Sequence, residues 1–475
     1  MKKDKMKKTK IVCTIGPASD NEEMMTKLVK AGMNVMRCNF SHGSHEEHGK
    51  KFDLIRKIND KLGTNCAILL DTKGPEIRTC DFEGGATGFQ KGQTSVICVE
   101  DIVGTSKRFT TTYKDLYKDV KTGGFILVND GQVELMVDHV EGTDIVCVCA
   151  NDGVVKNKRG INVPGIELGF DFISPRDRAD LVFGCQQDVD YIAASFVRRP
   201  QDVLDIKKVL IEHGKPNIQI IAKIENSEGV EKVNDILKVA DGIMVARGDL
   251  GVEIPAEDVP LIQKDIIKKC KDAGKVVITA TQMLESMQEN PRPTRAEVSD
   301  VANAIFDGSD AIMLSGESAQ GKYPEEAVET MRKIALKTEA ALDYEALHDD
   351  AVKTAPTDPS EAICMSVVEI ANRFDIAAII AYTESGYTAK KMSRYRPECP
   401  IIAPTPFDKT TKRLALNWGI TSCTVAHMDT KEALMNLAEV VAKEHGIEAG
   451  EKILVTGGTP GVEGTTNYLQ LITVR

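Results

Sequence analysis

Eight short apolar runs alternate with amphipathic segments of helical length, and this alternation constrains the fold more than any other feature of the chain. The runs lie at residues 10–16, 34–40, 66–72, 191–196, 218–225, 242–249, 276–281 and 311–317. Strands separated by helices indicate parallel pairing, and eight parallel strands close into a barrel. The alternation therefore predicts an α/β fold whose main body is a TIM (β/α)8 barrel.

One connection breaks the alternation, because the third and fourth runs are much further apart than an ordinary loop allows. Over 74–171 the pattern changes to short alternating strands with DG, GG and EG turns, which predicts an inserted β-barrel lid domain. The catalytic barrel then comprises 1–73 and 172–342. A polar stretch at 343–358 is expected to be a linker. Further alternating elements at 359–475 predict a C-terminal open α/β domain.

The composition limits where the protein acts. The formal net charge is −11, so the chain lacks the overall positive charge with which proteins hold nucleic acid. Its twelve scattered cysteines have neither disulfide-framework nor zinc-site spacing, which favours the reducing cytoplasm. The basic start lacks a cleavage site, and no apolar stretch reaches the ~20 residues that cross a bilayer. We therefore expect neither secretion nor a membrane partner.

The strand ends carry polar and charged residues that a barrel core excludes, and the active sites of such barrels form at the carboxyl ends of the strands. These residues are Arg37, Asn39, Ser41, Asp71, Thr72, Lys73, Lys223, Glu225, Arg247, Gly248, Asp249, Thr279, Thr281 and Glu317. Glu225 and Asp249 follow neighbouring strands and offer hard oxygen ligands that suit Mg²⁺ or Mn²⁺. Lys223, Arg37 and Arg78 suit phosphoryl oxygens. Together they indicate phosphoryl transfer.

Two other patterns have plainer interpretations. GESAQGKY (316–323) approaches a nucleotide-binding phosphate loop, but Tyr323 stands where that loop needs Ser or Thr for magnesium. His42, His45 and His48 have a spacing compatible with a metal cluster, yet the same spacing is typical of the solvated first turn of a helix. We expect neither a phosphate loop nor a histidine metal site.

Six sequence strings occur in a characteristic order: TKIVCTIGPAS (9–19), MRCNFSHG (36–43), DTKGPEIRT (71–79), AKIEN (222–226), MVARGDLGVE (244–253) and ATQMLESM (280–287). Together they closely resemble the pyruvate kinase family, and the similarity continues through RYRPECPI (394–401). The resemblance implies a glycolytic phosphotransferase that moves the phosphoryl group of phosphoenolpyruvate to ADP, giving pyruvate and ATP. It also implies Mg²⁺ and K⁺ as cofactors, a homotetramer, and a bacterial-type chain without an extra C-terminal domain.

The same resemblance implies roles for individual residues around the substrate. Glu225 and Asp249 would ligate the divalent ion. Lys223 would stabilise the phosphoryl group in flight, and Arg37 would hold its oxygens. The backbone N–H groups of Gly248 and Asp249 would receive the substrate carboxylate. By the same resemblance, the methylene carbon that is protonated lies near Thr281, while the proton donor itself stays open.

A further set of residues matches the family's ion and nucleotide sites. The residues that match the K⁺ site are Asn39, Ser41, Asp71 and Thr72, and those expected to contact the nucleotide are Asn39, Arg78, Lys158 and Arg159. Glu76 strengthens the expectation of K⁺ dependence, because relatives with Lys at this position tend to carry their own charge in place of the ion. The lid would close over the nucleotide and exclude water.

The C-terminal domain resembles the regulatory domain of the family. Its loop TESGYTAKK (383–391) matches the loop where sugar phosphates bind in regulated relatives, with Thr383, Ser385, Gly386 and Thr388 as candidate effector residues. Glu384 stands where strongly fructose 1,6-bisphosphate-responsive animal forms carry Lys, and the second loop, 456–467, has no Arg. The resemblance therefore implies allosteric control by a sugar phosphate or AMP, with the ligand left open.

An alternative assignment is a metal-dependent barrel lyase or aldolase that acts on pyruvate-like substrates. It would use a divalent ion beside Glu225 and Asp249 as well. The inserted lid and Lys223 favour the kinase, as does the presence of each catalytic group expected for it, which also argues against a non-catalytic regulator.

Overall fold

The computed structural model describes residues 6–459 and 464–475. The eight apolar runs form a closed barrel of parallel strands that neighbour one another in chain order, so the predicted (β/α)8 barrel is confirmed. The strands are Lys10–Thr14, Val35–Asn39, Ala67–Asp71, Tyr191–Ala194, Gln219–Ile224, Gly242–Ala246, Val276–Ala280 and Ala311–Leu314. Neighbours in sequence are neighbours in space because each helical crossover returns the chain by one strand in the same direction.

Helices cover the outside of the barrel. They are Glu22–Ala31, His45–Leu62, Pro175–Gln186, Pro200–Glu212, Ser227–Glu231, Val233–Val239, Val259–Ala273, Arg295–Asp307 and Pro324–Glu339, with short helices Arg247–Glu253 and Gly316–Ala319 directly after two strands. Alternate strand residues face the helices or the barrel interior. Cys38 and Leu70 pack outward, whereas Leu69 packs inward. This alternation turns the polar residues one position further along, such as Asp71, toward the interior mouth.

The insertion between the third and fourth barrel strands is built from β-strands, as expected. A seven-stranded sheet has the order Ile77–Arg78, Gly160–Asn162, Phe125–Val128, Val133–Glu141, Asp144–Cys149, Thr94–Cys98 and Arg108–Thr110, and Ala86–Phe89 pairs with Gly153–Lys156. Its entering and returning strands pair with each other, Gly160 opposite Arg78. The insertion therefore leaves and re-enters the barrel at one place, and it has its own apolar core.

The C-terminal part is an open five-stranded sheet with helices, in agreement with the predicted α/β fold. The strand order is Ile420–Thr424, Ile401–Thr405, Ala378–Ala381, Lys452–Gly457 and Tyr468–Thr473, and the helices are Pro359–Arg373, Tyr387–Arg394, Asp408–Arg413 and Lys431–Glu444. Sequence analysis missed the strand Ile420–Thr424, whose polar residues hide its period. It also missed the short helix Asp408–Arg413.

The segment 343–358, expected to be a linker, differs from that expectation. Most of it is a helix, Tyr344–Lys353, which begins where the Asp343 side chain accepts a hydrogen bond of 3.0 Å from the Ala346 N–H. Its many acidic residues suggested a solvated linker, but the capping aspartate and buried Tyr344 and His348 stabilise a helix against the domain junction. None of the helices in the described part of the chain is long and apolar enough to cross a membrane.

Candidate active site

The Asp71 carboxylate is the centre of a buried charged cluster at the carboxyl end of the barrel. Arg37 Nε lies 2.6 Å from Asp71 Oδ2, and Lys223 Nζ lies 3.1 Å from Asp71 Oδ1. The Arg37 guanidinium also donates to the Thr14 hydroxyl at 2.7 Å. Four strands thus contribute one side chain each. The structure brings the predicted residues Arg37, Asp71 and Lys223 into direct contact.

Lys223 has two further acceptors. Its ammonium lies 2.9 Å from Glu225 Oε1 and donates to the Ser195 hydroxyl at 2.7 Å. The other oxygen of the Glu225 carboxylate accepts a hydrogen bond of 2.6 Å from the Phe196 N–H. The Glu225 side chain is only 1 % exposed, and that of Lys223 is 10 % exposed. The lysine is therefore fixed between two carboxylates and a hydroxyl at the edge of the barrel mouth.

Burial and the neighbouring charges shift the pKa values of the side chains in this cluster. Burial raises the pKa of Glu225 to about 7, with Lys223 opposing the shift and the negative charge of Asp249 adding to it. Burial alone would lower the pKa of Lys223, but Asp71 and Glu225 hold that pKa at about 12. Burial likewise works to raise the pKa of Asp71, yet Arg37 and Lys223 keep it below its usual value. Lys223 and Asp71 are thus both charged at neutral pH.

The exposed Asp249 and the buried Glu225 form the predicted pair of hard oxygen ligands. The negative charge of Asp249 adds to the effect of burial in raising the pKa of Glu225. A divalent cation beside both would relieve this repulsion. Among the described residues no group of three or more His, Cys, Asp or Glu side chains could hold a metal ion. Two carboxylates would suit Mg²⁺, an ion that commonly keeps water and substrate oxygens as its other ligands.

The turn after strand Val276–Ala280 forms the opposite side of the mouth. The Thr281 hydroxyl accepts a hydrogen bond of 2.9 Å from the Gly248 N–H and donates to the Ala280 carbonyl at 2.6 Å. Gly248 and Asp249 lie in the first turn of helix Arg247–Glu253, which starts directly after its strand. The predicted residues Gly248 and Thr281 are therefore in contact. Arg247 is turned away from the mouth toward the helices, which corrects its inclusion among the groups at the mouth.

The predicted K⁺ residues follow two paired strands. Asn39 lies opposite Asp71 in the register of the neighbouring strands. The Asn39 side-chain oxygen accepts a hydrogen bond of 3.0 Å from the Ser41 N–H, and the Thr72 carbonyl accepts one of 2.7 Å from Ser195 Oγ. Asn39 is the last residue of its strand, so Ser41 lies beyond the strand. Asn39 and Asp71 therefore lie side by side on the two strands, and the hydrogen bond ties Ser41 to Asn39.

The lid side of the site carries the predicted nucleotide contacts. The Arg78 guanidinium lies 2.6 Å from Glu76 Oε1 and donates to the Lys158 carbonyl at 2.7 Å. Arg159 contacts Thr79 within the lid, where the Arg159 backbone N–H donates to the Thr79 hydroxyl at 2.9 Å. A cavity of about 80 Å³ between lid and barrel is lined by Glu76, Asp130, Phe196, Asp249 and Glu253 among others. The lid and Asp249 of the barrel therefore line one cavity.

The two doubtful patterns have structural roles. His45 Nε2 lies 2.6 Å from Asp180 Oδ1, and His48 Nε2 lies 2.8 Å from the His42 carbonyl, so the three histidines do not converge. Glu317, in the stretch that approaches a phosphate loop, is fully buried and accepts hydrogen bonds from the N–H groups of Leu284 and Ser315. These contacts agree with the expectation that neither pattern binds a ligand of its own.

The candidate effector residues line a small cavity in the C-terminal domain. Thr383, Ser385 and Thr388 border it, together with part of the second loop. The Thr383 hydroxyl accepts a hydrogen bond of 3.0 Å from the Gly386 N–H, and Thr388 Oγ1 lies 2.8 Å from Thr466 Oγ1. The predicted second loop, 456–467, includes 460–463, which lie outside the described residues, as do residues 1–5 of the predicted barrel domain.

Sequence reasoning missed two side chains of the cluster. Ser195 ends the strand Tyr191–Ala194 and contacts Lys223, and Thr14 ends the first strand and contacts Arg37. The signal was present, since both are polar residues at strand ends with inward neighbours. Serine and threonine, however, are so common at strand ends that the sequence gives no reason to assign these two residues to the site.

Comparison with known proteins extends over nearly the whole chain. A family model described as the pyruvate kinase barrel domain matches residues 6–328, and one described as the pyruvate kinase alpha/beta domain matches residues 361–472. A pyruvate kinase of Staphylococcus haemolyticus is 53 % identical over 470 residues, which cover 98 % of this chain and 80 % of that protein. One from Staphylococcus aureus (strain MRSA252) is 50 % identical with the same coverage. The crystal structure of a pyruvate kinase from Cryptosporidium parvum matches with a TM-score of 0.94 and 38 % identity, covering 99 % of this chain and 96 % of that one.

Proposed function

Since this chain belongs to the pyruvate kinase family, we propose that the buried cluster around Lys223 is the site at which it moves the phosphoryl group of phosphoenolpyruvate to ADP. The chain is thus a glycolytic transferase that forms pyruvate and ATP. The observation that carries the assignment of the site is the ammonium of Lys223 held between the carboxylates of Asp71 and Glu225.

Lys223 and Arg37 neutralise the transferring phosphoryl group. A phosphoryl group in flight spreads negative charge over its outer oxygens, and fixed cations stabilise that charge without reorganising. The pKa of Lys223, held at about 12 by Asp71 and Glu225 against the effect of burial, supports a permanently charged ammonium. Arg37 is held from behind by Asp71 and Thr14, which suits a guanidinium that presents its other N–H groups to phosphoryl oxygens.

Glu225 and Asp249 would hold the divalent ion, Mg²⁺ or Mn²⁺. Once bound, the ion would supply positive charge to the oxygens of the substrate and of the transferring group. The Phe196 N–H and Lys223 fix both oxygens of the Glu225 carboxylate in place. Asp249 is exposed and approaches from the start of the following helix.

The substrate carboxylate and the enolate are handled on the other side of the mouth. The backbone N–H groups of Gly248 and Asp249 are proposed to receive the carboxylate, because the first N–H groups of a helix have no partners within it. The Gly248 N–H donates to the Thr281 hydroxyl and would exchange this partner for the substrate. Thr281 lies against Gly248 and is proposed to face the methylene carbon, which takes up a proton when the enolate becomes pyruvate. The source of that proton is left open.

Potassium and the nucleotide complete the site. Asn39, Ser41, Asp71 and Thr72 are proposed as oxygen ligands of K⁺, which is supported by the pairing of the two strands that carry them. The residues proposed to contact ADP are Asn39, Arg78, Lys158 and Arg159. The lid lines a cavity together with Asp249, and its closure would exclude the water that otherwise hydrolyses the phosphoryl group.

The remaining proposals concern the whole protein. We propose that residues 1–73 and 172–342 form the barrel, 74–171 the lid and 359–475 the C-terminal domain, with 343–358 connecting the barrel to the C-terminal domain. A cytoplasmic location is supported by the twelve free thiols, and a homotetramer by family membership alone. Regulation by a sugar phosphate or AMP at the loop 383–388 is supported by the cavity that this loop lines.

A coupled assay tests the site. Purified protein with phosphoenolpyruvate, ADP and Mg²⁺, with and without K⁺, is assayed for pyruvate and for ATP, comparing the parent chain with Lys223→Met. We expect the variant to lose about a thousandfold or more in kcat, since it loses the fixed cation at the phosphoryl group. Lys57→Met, at an exposed lysine on a barrel helix, is the matched control. A Lys223→Met variant that keeps its turnover, or a parent chain that forms pyruvate without ATP, would contradict the proposal.

A further inference from the structure

Thr281 and Gln282 adopt a backbone conformation that their side chains disfavour. Their φ angles are +67° and +54°, in the left-handed region. For a β-branched residue such as threonine this region is a genuine outlier, which persists only where the surroundings impose it. Gln282 is exposed, so packing of its side chain does not supply the constraint. Something else must hold the turn that carries the Thr281 hydroxyl.

The Arg247 guanidinium binds the backbone of this turn at two successive carbonyls. Its Nη2 donates to the Thr281 carbonyl at 2.6 Å, and its Nε donates to the Ala280 carbonyl at 3.2 Å. The planar fork of an arginine can reach two carbonyls at once, whereas a lysine ammonium acts as a point charge. Arg247 is also the first residue of the helix that carries Gly248, whose N–H binds Thr281 Oγ1. One side chain thus ties the turn to the helix.

Two helices outside the barrel hold the guanidinium in turn. Arg247 Nη1 lies 2.7 Å from Asp300 Oδ1 and 3.3 Å from Gln263 Oε1. Asp300 belongs to helix Arg295–Asp307 and Gln263 to helix Val259–Ala273, which flank the strand that ends at Ala280. The Arg247 side chain is 11 % exposed, so these charge-assisted hydrogen bonds are largely shielded from water.

We propose that Arg247, oriented by Asp300, is a positioning residue that holds Thr281 in its left-handed conformation and thereby sets where the Thr281 hydroxyl and the Gly248 N–H meet the substrate. This inference rests on the role proposed above for Thr281. Arg247 does not touch the reacting atoms. It acts through Thr281, so its loss affects protonation of the enolate carbon more than binding of the nucleotide.

The test measures the proton-transfer step directly. Pyruvate is incubated in D₂O with the enzyme, Mg²⁺, K⁺ and ATP, and proton NMR follows the replacement of its methyl hydrogens by deuterium. In this exchange a methyl C–H bond breaks to give the enolate and a C–D bond then forms from solvent. The variants are Arg247→Lys, Asp300→Asn, Thr281→Ala and the double variant Arg247→Lys with Thr281→Ala. Arg178→Lys is the control, an exposed arginine paired with Glu212 on the barrel exterior.

We expect Arg247→Lys to slow the exchange by about tenfold to a hundredfold. Misplacing a group at a reaction centre by about 1 Å can cost about a hundredfold in rate. The KM of the variant for ADP stays within about twofold of the parent value, and Asp300→Asn changes exchange in the same direction by a smaller factor. In the Thr281→Ala background, Arg247→Lys slows exchange by no more than about twofold, because the hydroxyl that it positions is already gone. If Arg247→Lys instead damaged the fold in general, the factors by which the two substitutions slow the exchange would multiply in the double variant.

Three results would overturn the proposal. If Arg247→Lys exchanges at the same rate as the control, the arginine has no positioning role. If the effects of the two substitutions multiply in the double variant, the arginine does not act through Thr281. Normal exchange in Thr281→Ala alone removes the role proposed for Thr281 as well, which distinguishes that failure from a failure of the arginine alone. Thermal melts monitored by circular dichroism establish whether each variant folds. If Arg247→Lys does not fold, the exchange rate of Asp300→Asn tests the role of Arg247 instead.

Discussion

The hydroxyl of Ser195 lies 2.7 Å from the ammonium of Lys223 and links it to the backbone of a neighbouring strand end. The same hydroxyl lies 2.7 Å from the Thr72 carbonyl, to which it can donate its one hydrogen while accepting from the lysine. The ammonium therefore has one neutral anchor in addition to its two carboxylates. Since Ser195 is almost completely buried, water cannot replace that anchor.

We expect Ser195→Ala to lower kcat by about tenfold, because it removes a hydrogen bond to a charged group that is worth about 1.5–3 kcal/mol and lets the ammonium shift toward Glu225. The KM for ADP should change little, since Ser195 is not among the residues proposed to contact the nucleotide. Steady-state kinetics measures both quantities. Ser366→Ala, at an exposed serine on a C-terminal helix, is the control. An unchanged kcat in Ser195→Ala would show that the carboxylates alone fix the lysine.

Turnover should depend on K⁺. We expect it to fall by about tenfold or more when K⁺ is replaced by tetramethylammonium, which is too large for a cluster of oxygen ligands and stabilises no charge there. Glu76→Lys should restore part of the activity without K⁺, because it puts a fixed positive charge beside the strand that ends in Asp71. Glu83→Lys, with the same change of charge at an exposed lid position, should not. Equal rates in both cations would rule out the proposed K⁺ site.

The stability of the protein should decline in mild acid because of His48. Burial lowers the pKa of His48 from the ordinary 6.5, against the hydrogen bond with the His42 carbonyl. The unfolded chain therefore binds a proton more readily than the folded one, so the stability is complete above the unfolded pKa and is lost as the pH falls below it. The free energy of unfolding in urea should be smaller at about pH 5.5 than at about pH 7.5.

The matched variants isolate this contribution. His48→Gln should flatten the pH dependence of the free energy of unfolding, and His213→Gln, at an exposed histidine after a barrel helix, should leave it as in the parent chain. The same slope in His48→Gln and in the parent would show that other groups cause the acid sensitivity.

The effector loop should respond to the charge at position 384. Glu384 Oε1 lies 3.5 Å from His427 Nε2 beside the loop of the small C-terminal cavity, where a carboxylate repels phosphate. We expect Glu384→Lys to lower the half-saturating concentration of fructose 1,6-bisphosphate by about tenfold, as an ion pair replaces repulsion. The readout is the saturation curve for phosphoenolpyruvate at several concentrations of sugar phosphates and of AMP.

Glu432→Lys, at an exposed position in the first turn of a nearby helix, controls for the change in net charge. Saturation curves that no sugar phosphate and no AMP alters, in the parent chain and in Glu384→Lys alike, would exclude the loop as a regulatory site.

Much of the fold could be predicted because it depends on periodicity. A strand buried on both faces needs a continuous apolar run, and each of the eight runs became a barrel strand. The position of Lys223 and Asp71 at the ends of their runs also predicted that both lie at the carboxyl end of the barrel. The helix Tyr344–Lys353 escaped prediction, since only its contacts at the domain junction distinguish it from a solvated linker.

The predicted site was correct in its residue types but incomplete in its contacts. Arg247 looked like one more charge at the mouth, yet its side chain reaches the Thr281 carbonyl and Asp300. Ser195 could not be distinguished from the many other hydroxyl residues at strand ends. Both depend on where neighbouring strands and helices end relative to one another, which is a property of the packed barrel.

By itself, the sequence determined the period of the strands, the sign of the charges at their ends and therefore the kind of reaction that the mouth supports, because alternation and charge are local properties of the chain. Only the tertiary structure decided which charges meet. Side chains distant in sequence, such as Asp71, Lys223 and Thr281, come within reach of one rim through strand pairing and helix packing, and the distances that fix their pKa values and conformations exist only once the barrel has closed.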